Sequence, residues 1–244
     1  MTAQLDVGKV ALGAFLIPWW NRRAFVRGLA LPLVLLVALT LSWYYASAHV
    51  PVLANWGLYL VYGALFAVFA VRCHRLVLLD PKAVASRIAP RWTRRETRFF
   101  FWIVALWLIF AAITVALTTL MLNTWLQWVG KPDSALFNWT VSLGKLPAFY
   151  LFGRLCLVFP ATAVDRNVDL RWAWKLSVNN GWRLVLLVAV LPWLISHALG
   201  LLYRANASLG EIIVLQSVAW AFFAVEVAAI SLSYRELTKD ERLR

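Results

Sequence analysis

The chain has 244 residues, of which 63% are hydrophobic and only 14% are charged, and its mean hydropathy is +0.74. A soluble domain of this length cannot bury that much apolar surface, so the composition excludes an ordinary soluble fold and indicates apolar membrane helices. A net charge of +13 is also typical of nucleic-acid binding. Here, however, the Lys and Arg residues cluster beside the hydrophobic runs, where such residues set topology and meet anionic lipid headgroups. We therefore expect a bilayer with anionic headgroups to be the partner, and no nucleic acid.

Residues 1–27 precede the first long apolar run and combine apolar residues with several arginines. We expect Pro18 to interrupt any helix in this segment. The segment is predicted to lie on the cytoplasmic membrane surface, with Trp19 and Trp20 among the headgroups. No cleavable signal peptide is apparent, so we expect the first membrane helix to act as an uncleaved insertion signal.

The remaining apolar runs predict six membrane spans. From Gly28 to Val71 the sequence contains no Asp, Glu, Lys or Arg, which is too long for one crossing and right for two. Pro51 and neighbouring polar residues break this run near its middle. The last span is predicted to open with a capping box from Ser208 to Glu211. The predicted spans are 28–48, 53–73, 99–122, 135–158, 183–203 and 211–233.

Two basic loops separate these spans on one side of the membrane. In the first loop, Asp80–Pro81 predicts a helix start with Pro in the first turn, and Thr93–Glu96 matches a capping box that opens the third span. In the second loop, Asp169 is predicted to cap a short helix that Asn180–Gly181 then ends. We expect these short helices to lie at the cytoplasmic membrane surface.

The orientation follows from the distribution of positive charge. Apart from Lys131, Lys145 and Arg204, every Lys and Arg falls in the N-terminal segment, the two basic loops with their flanks, or the C-terminal tail. The positive-inside rule places these regions in the cytoplasm. The Ala-, Leu- and Arg-rich composition is typical of bacteria. We therefore predict an all-α, multi-pass protein of the bacterial inner membrane, with a six-helix domain over 28–234, a basic tail over 235–244 and both termini cytoplasmic.

Two stretches of the chain are similar to one another. Arg75–Pro81 aligns with Arg154–Pro160, and each follows an apolar helix and precedes a basic amphipathic stretch. Two interpretations are open. The similarity indicates either a parallel internal repeat or a common way of leaving the membrane, with a snorkelling Arg followed by a terminating Pro.

The longer run from Arg154 to Arg183 reads Leu-Arg-Trp-Ala-Trp-Lys-Leu-Ser over 170–177 and Asn-Gly-Trp-Arg over 180–183. It resembles a pattern in uncharacterised bacterial polytopic inner-membrane proteins. It is also similar to the membrane domain fused to some glycerophosphodiester phosphodiesterases. The resemblance covers about 30 residues and implies a helical integral membrane protein. It does not extend to a phosphodiesterase catalytic domain, so it does not imply that activity.

Lys145, Arg154 and Glu226 fall inside the predicted spans, and a charge within a membrane is costly enough to mark a candidate polar site. Glu226 could pair with Arg154, or alternatively with Arg72 or Arg75. Such an ion pair would be either a structural link or part of a pathway. Ser142 precedes Lys145 at the spacing of a Ser/Lys nucleophile pair, but no oxyanion-hole motif accompanies it. We assign no catalytic residue, and we expect no cofactor and no metal, because no corresponding motif appears.

Three functions remain open. The first is a non-catalytic scaffold or accessory subunit of an envelope process, which would bind a membrane-protein partner. The second is a small transporter or permease whose polar pathway runs near the three intramembrane charges. The third is a lipid-modifying enzyme at the cytoplasmic interface, which needs polar groups converging near Asp165, Arg166, Asp169 and the Arg cluster of the first basic loop. The residues expected to contact lipid headgroups are Arg91, Arg94, Arg95, Arg171 and Lys175.

Overall fold

The computed structural model describes residues 4–46, 52–86, 92–128, 145–202 and 208–239, and these ranges contain helices and turns but no strand. The helices are α1 (Val7–Trp20), α2 (Arg22–Ala46), α3 (Val52–Leu78), α4 (Pro81–Ala85), α5 (Arg94–Trp128), α6 (Leu146–Leu155), α7 (Val158–Ala163), α8 (Leu170–Leu176), α9 (Gly181–Val185), a π-helical turn (Leu186–Val190), α10 (Leu191–Gly200) and α11 (Leu209–Leu237).

Six helical segments are long and apolar enough to cross a membrane, which confirms the predicted all-α membrane class. The fourth of them combines α6 with α7, and the fifth combines α9, the π-helical turn and α10. The predicted 135–144 part of the fourth span lies outside the described residues. The segments are Arg22–Ser42, Asn55–Leu78, Arg94–Leu126, Leu146–Ala163, Gly181–Gly200 and Leu209–Leu237.

Helix α1 runs through Pro18 and ends at Trp20, so the expectation that Pro18 interrupts any helix was wrong. Pro18 lacks the backbone donor that would bond to the carbonyl four residues earlier, yet the helix continues to its end at Trp20. There, the backbone N–H and the side-chain amide of Asn21 both donate to the Ile17 carbonyl, each at 3.1 Å. One face of α1 packs against α11, with Ala14 fully buried.

Short-range capping follows the sequence prediction closely. Asp80 accepts a hydrogen bond from the Lys82 N–H at 3.0 Å, and Asp169 accepts one from the Trp172 N–H at 2.8 Å. The capping box that opens α11 at Ser208 is complete in both directions. Such caps satisfy backbone donors that the first helical turn leaves without a partner.

The predicted stop at Gly181 was wrong. Helix α8 ends at Leu176, the left-handed conformation falls on Asn179 with a φ of 66°, and Gly181 begins α9 instead. The glycine is needed for close packing, since a Cβ at this position would lie 2.6 Å from the Tyr150 ring.

The two similar stretches leave their helices in different ways. Pro81 begins the new helix α4 after α3 has ended, whereas Pro160 lies inside α7, which continues to Ala163. Both stretches end at the same side of the bundle, because the Arg75 guanidinium donates to the Ala163 carbonyl at 2.9 Å. We call this end the basic face; it comprises Arg75, Arg95, Arg98 and the loop 164–169.

Pro192 also shapes the helix that contains it. It cannot donate a backbone hydrogen bond, and the preceding turn, Leu186–Val190, is π-helical. The N–H of Leu191 donates to the carbonyl of Leu186, five residues earlier. The chain therefore has a widened turn just before Pro192, and such turns are frequent at functional sites.

Candidate functional site

The structure does not bring together the three intramembrane charges identified from the sequence. Lys145 immediately precedes α6, and residues 135–144 of its predicted span lie outside the described residues. Arg154 lies near the opposite end of α6 and binds the short helix α8. Glu226 lies on α11 and forms no ion pair with Arg154. The predicted Glu226–Arg154 pair is therefore wrong.

Arg154 is held by the second basic loop. Its guanidinium donates to the Ser177 hydroxyl at 2.9 Å and to the Trp174 carbonyl at 2.6 Å, and it lies 3.4 Å from the centroid of the Trp174 ring. The residue is only 8% exposed. Stacking on an aromatic face and hydrogen bonding to a carbonyl are a structural use of Arg. Arg154 therefore anchors α8 to α6.

Glu226 has a different environment. It lies about 16 Å along the helix axis from the end of α11 at Leu237, at a rise of about 1.5 Å per residue. That distance places it deep within a span, because the hydrocarbon core of a bilayer is about 30 Å thick. Its carboxylate makes no hydrogen bond or ion pair with any residue that the structure describes. A carboxylate at this depth normally has a partner, so the isolation of Glu226 marks it as a candidate functional residue.

Glu226 lines a cavity of about 350 Å³ between α3, α5, α6, α7, the segment around the π-helical turn and α11. The lining is mostly aromatic. Rings that line the cavity also contact each other, with centroid distances of 4.9 Å between Phe66 and Phe223 and 5.2 Å between Phe110 and Phe149. Apolar clefts of 300–1,000 Å³ with a few polar groups are typical of small-ligand sites.

His74 is the other polar side chain that the described lining contains. Its Nδ1 lies 2.7 Å from the Ser231 hydroxyl oxygen, and that hydroxyl donates to the Val227 carbonyl at 2.8 Å. Because the hydroxyl proton is used in the second bond, the His74 Nδ1–H is the donor in the first. His74 is therefore fixed to α11 while Glu226, on the same helix, is not.

The cavity reaches the outer surface of the bundle. Trp107 lines it and is 64% exposed, near the middle of α5. Val188, in the π-helical turn, and Pro192, just after it, form part of the same lining. All of these segments belong to candidate membrane spans.

This cavity was not predicted from the sequence, although one signal was available. Residues Phe99, Ile103, Trp107 and Phe110 line it and recur every three or four positions along α5, so they share one face of that helix. On α3, Phe66, Ala70 and His74 are spaced in the same way. An aromatic stripe of this kind on a membrane helix is as typical of packing as of binding, so it becomes informative only once the neighbouring helices are in place.

Asp165 is the centre of the ion pairs on the basic face. It adopts a positive φ of 65°, and its carboxylate lies 3.1 Å from the Arg75 guanidinium and 3.0 Å from the Arg95 guanidinium. Arg98 donates to the side-chain oxygen of Asn167 in the same loop at 2.6 Å. These contacts clamp the loop against the ends of α3 and α5. Polar groups therefore converge at Asp165, where they form ion pairs, and the lipid-modifying enzyme stays an untested alternative.

The residues predicted to contact lipid headgroups differ in their environments. Arg94, Arg171 and Lys175 are exposed. Arg95 is instead half-buried and engaged with Asp165 and Glu96, while Arg91 lies outside the described residues. Within the described ranges, no group of three or more His, Cys, Asp or Glu residues is placed to hold a metal ion.

No family model matches the chain, and neither does any curated protein or solved structure. The class is therefore defined by the fold and the site alone. This is an all-α, multi-pass membrane protein with six candidate spans. Its principal site is an aromatic cavity within the spans that contains the carboxylate of Glu226.

Proposed function

We propose that the protein takes up a small amphiphile from the bilayer into the intramembrane cavity and acts as a small transporter or permease. The observation that carries this proposal is the isolated carboxylate of Glu226 in an aromatic cavity whose lining includes the exposed Trp107. A side chain that serves only packing would be expected to have a partner, because an unpaired charge within a membrane is costly. A bound ligand would supply that partner.

The proposal replaces the pathway expected from the sequence. Of its three residues, only Glu226 lines the cavity among the residues that the structure describes. Arg154 is engaged in anchoring α8, and Lys145 lies at the start of α6. The proposed pathway is therefore aromatic with one acidic group.

We also propose that the protein lies in a bacterial inner membrane with both termini and the basic face in the cytoplasm. The exposed cations Arg94, Arg171 and Lys175 support this orientation, because such residues at a membrane surface attract anionic headgroups. Reporter fusions at each terminus test it. An external reporter at either end would overturn the orientation without affecting the cavity.

A scaffold or accessory subunit is the second candidate. It is supported by the turn between α1 and α2, where Trp19 and Trp20 are 66% and 69% exposed and the Arg22 guanidinium lies 5.6 Å from the Trp19 ring centroid. Aromatic residues and Arg are enriched in protein interfaces. A stoichiometric partner protein that is lost when both tryptophans are replaced by serine would favour this function.

Filling the cavity tests the transporter hypothesis. Val188→Phe places a bulkier side chain in the half-buried lining, whereas Leu186→Phe changes a 47%-exposed position in the same turn and serves as the matched control. Each protein is purified from membranes in mild detergent and analysed by native mass spectrometry. We expect a small amphiphile with the wild type and with the control but not with Val188→Phe.

Two further results decide the matter. If the same amphiphile accompanies all three proteins, or none of them, the cavity is not its binding site and the proposal fails. If the amphiphile is bound in the cavity, its uptake by proteoliposomes that contain the protein separates a transporter from a static receptor.

A further inference from the structure

The charge balance of the cavity indicates what kind of amphiphile it accepts. The Glu226 carboxylate lies in apolar surroundings, and the described residues provide it with no counter-charge. A buried carboxyl group keeps its charge only when it is paired, and without a partner it takes up a proton. A ligand that carries a positive charge would supply the pairing that the protein does not.

The aromatic lining favours the same sign of charge. Phe66, Phe99, Phe159 and Phe223 line the same cavity as Glu226 and His74. The faces of aromatic rings carry partial negative charge and attract ammonium groups within about 6 Å of the ring centroid. An anionic ligand would meet unfavourable interactions with both the carboxylate and the ring faces.

Three arginines on the helices that line the cavity make contacts outside it. Arg72 donates to the Gly28 carbonyl at 2.6 Å, Arg75 binds Asp165, and Arg154 binds α8. No Lys or Arg of the described chain lines the cavity. His74 is the other titratable group of the lining, and its ring is already hydrogen bonded to Ser231. The basic character of the protein is thus confined to regions outside the cavity.

We infer that the ligand is an amphiphilic organic cation, a hydrophobic amine or quaternary ammonium compound, whose charged group pairs with Glu226 while its apolar part lies along the aromatic wall. This inference rests on the proposed uptake of an amphiphile and specifies its chemical class. The volume of about 350 Å³ is at the small end of the range for ligand cavities, which suits one short hydrophobic chain or ring with a compact headgroup.

Three probes with the same chain test the sign of the charge: octyltrimethylammonium, octanesulfonate and octanol. Their binding is measured by isothermal titration to the protein in nanodiscs of neutral phosphatidylcholine, with the signal of empty nanodiscs subtracted. We expect the wild type to bind the ammonium compound at least tenfold more tightly than the sulfonate or the alcohol. The neutral lipid removes attraction to anionic headgroups as a source of the difference.

Two acidic residues of α11 provide the variant and its control. Glu226→Gln keeps the size of the side chain and removes the charge, and we expect it to weaken ammonium binding at least tenfold while octanol binding stays unchanged. Glu236→Gln removes a charge from the same helix at a position outside the cavity, where Glu236 pairs with Lys239 at 2.7 Å. That variant should bind all three probes like the wild type.

The outcomes distinguish a failure of the cation inference from a failure of the proposed uptake of an amphiphile. Equal binding of the ammonium compound and octanol by the wild type, or unchanged ammonium binding by Glu226→Gln, overturns the cation inference. If Val188→Phe abolishes probe binding in that case, the amphiphile site itself stands. If the wild type binds none of the three probes, both the inference and the proposed function fail.

Discussion

Replacing Arg154 with Met should destabilise the protein strongly, because the guanidinium joins α6 to α8. Met replaces the aliphatic stem of Arg154 with another unbranched chain. It removes the hydrogen bonds to Ser177 and Trp174 and the stacking at 3.4 Å on the Trp174 ring. Hydrogen bonds to charged groups contribute about 1.5–3 kcal/mol each, and a cation–π contact contributes about 0.5–2 kcal/mol.

The full sum overestimates the net effect. Removing the charge also removes its desolvation cost, and the Ser177 hydroxyl keeps its own bond to the Trp174 carbonyl at 3.1 Å. We therefore expect a loss of about 2–4 kcal/mol in the free energy of unfolding. For a chain of this size, 1 kcal/mol corresponds to about 2–4 °C, so the melting temperature in detergent should fall by about 4–16 °C.

Thermal unfolding followed by tryptophan fluorescence checks this prediction, with Arg171→Met as the control. Arg171 is an exposed residue of α8, and its loss should change the melting temperature by no more than about 2 °C, the size of an ordinary surface effect. The melting temperature of Arg154→Lys should lie between those of the wild type and Arg154→Met, since Lys keeps the charge but lacks the planar group that stacks. If Arg154→Met melts with the wild type, Arg154 does not anchor α8.

Gly181→Ala tests the packing, with Gly210→Ala as its control, and Asp165→Asn tests the basic face. Gly181→Ala should destabilise the protein by about 1–3 kcal/mol, the usual effect of overpacking, because its Cβ would lie 2.6 Å from the Tyr150 ring. Gly210→Ala, with no atom within 4 Å of its Cβ, should melt at or above the wild-type temperature, and a similar fall in both variants would contradict the packing argument. Asp165→Asn should cost about 1 kcal/mol or less, since its ion pairs are partly exposed. The melting-temperature difference between Asp165→Asn and the wild type should shrink at high salt, and a salt-independent difference would argue against ion pairing.

Local features were predicted well from the sequence. A helix cap involves residues two or three positions apart, so the sequence around Asp80, Asp169 and Ser208 contains all the interacting groups. Gly181 was misjudged because its role depends on Tyr150, a residue of another helix. Local rules permit a glycine to end a helix, and only the approach of a neighbouring ring shows that the absent Cβ is needed for space.

The candidate site was predicted only in part. Glu226 was identified because a carboxylate in an apolar run is conspicuous, yet its proposed partner was wrong. Arg154 was predicted to lie at a similar depth in its span, but its guanidinium binds α8 instead. The resemblance of residues 154–183 to the membrane domain of some phosphodiesterases stays a prediction, and so does the internal repeat.

The sequence by itself determined that the chain is helical, that it spans a membrane and how many spans it has. These properties depend on the length and apolarity of each run, which are sums over neighbouring residues. The tertiary structure decided which faces of the helices meet. A membrane helix is apolar on nearly all sides, so its pattern does not distinguish the face that packs from the face that meets lipid. The aromatic wall around Glu226, the binding of Arg154 to α8 and the isolation of the carboxylate therefore emerge only when all the helices are packed together.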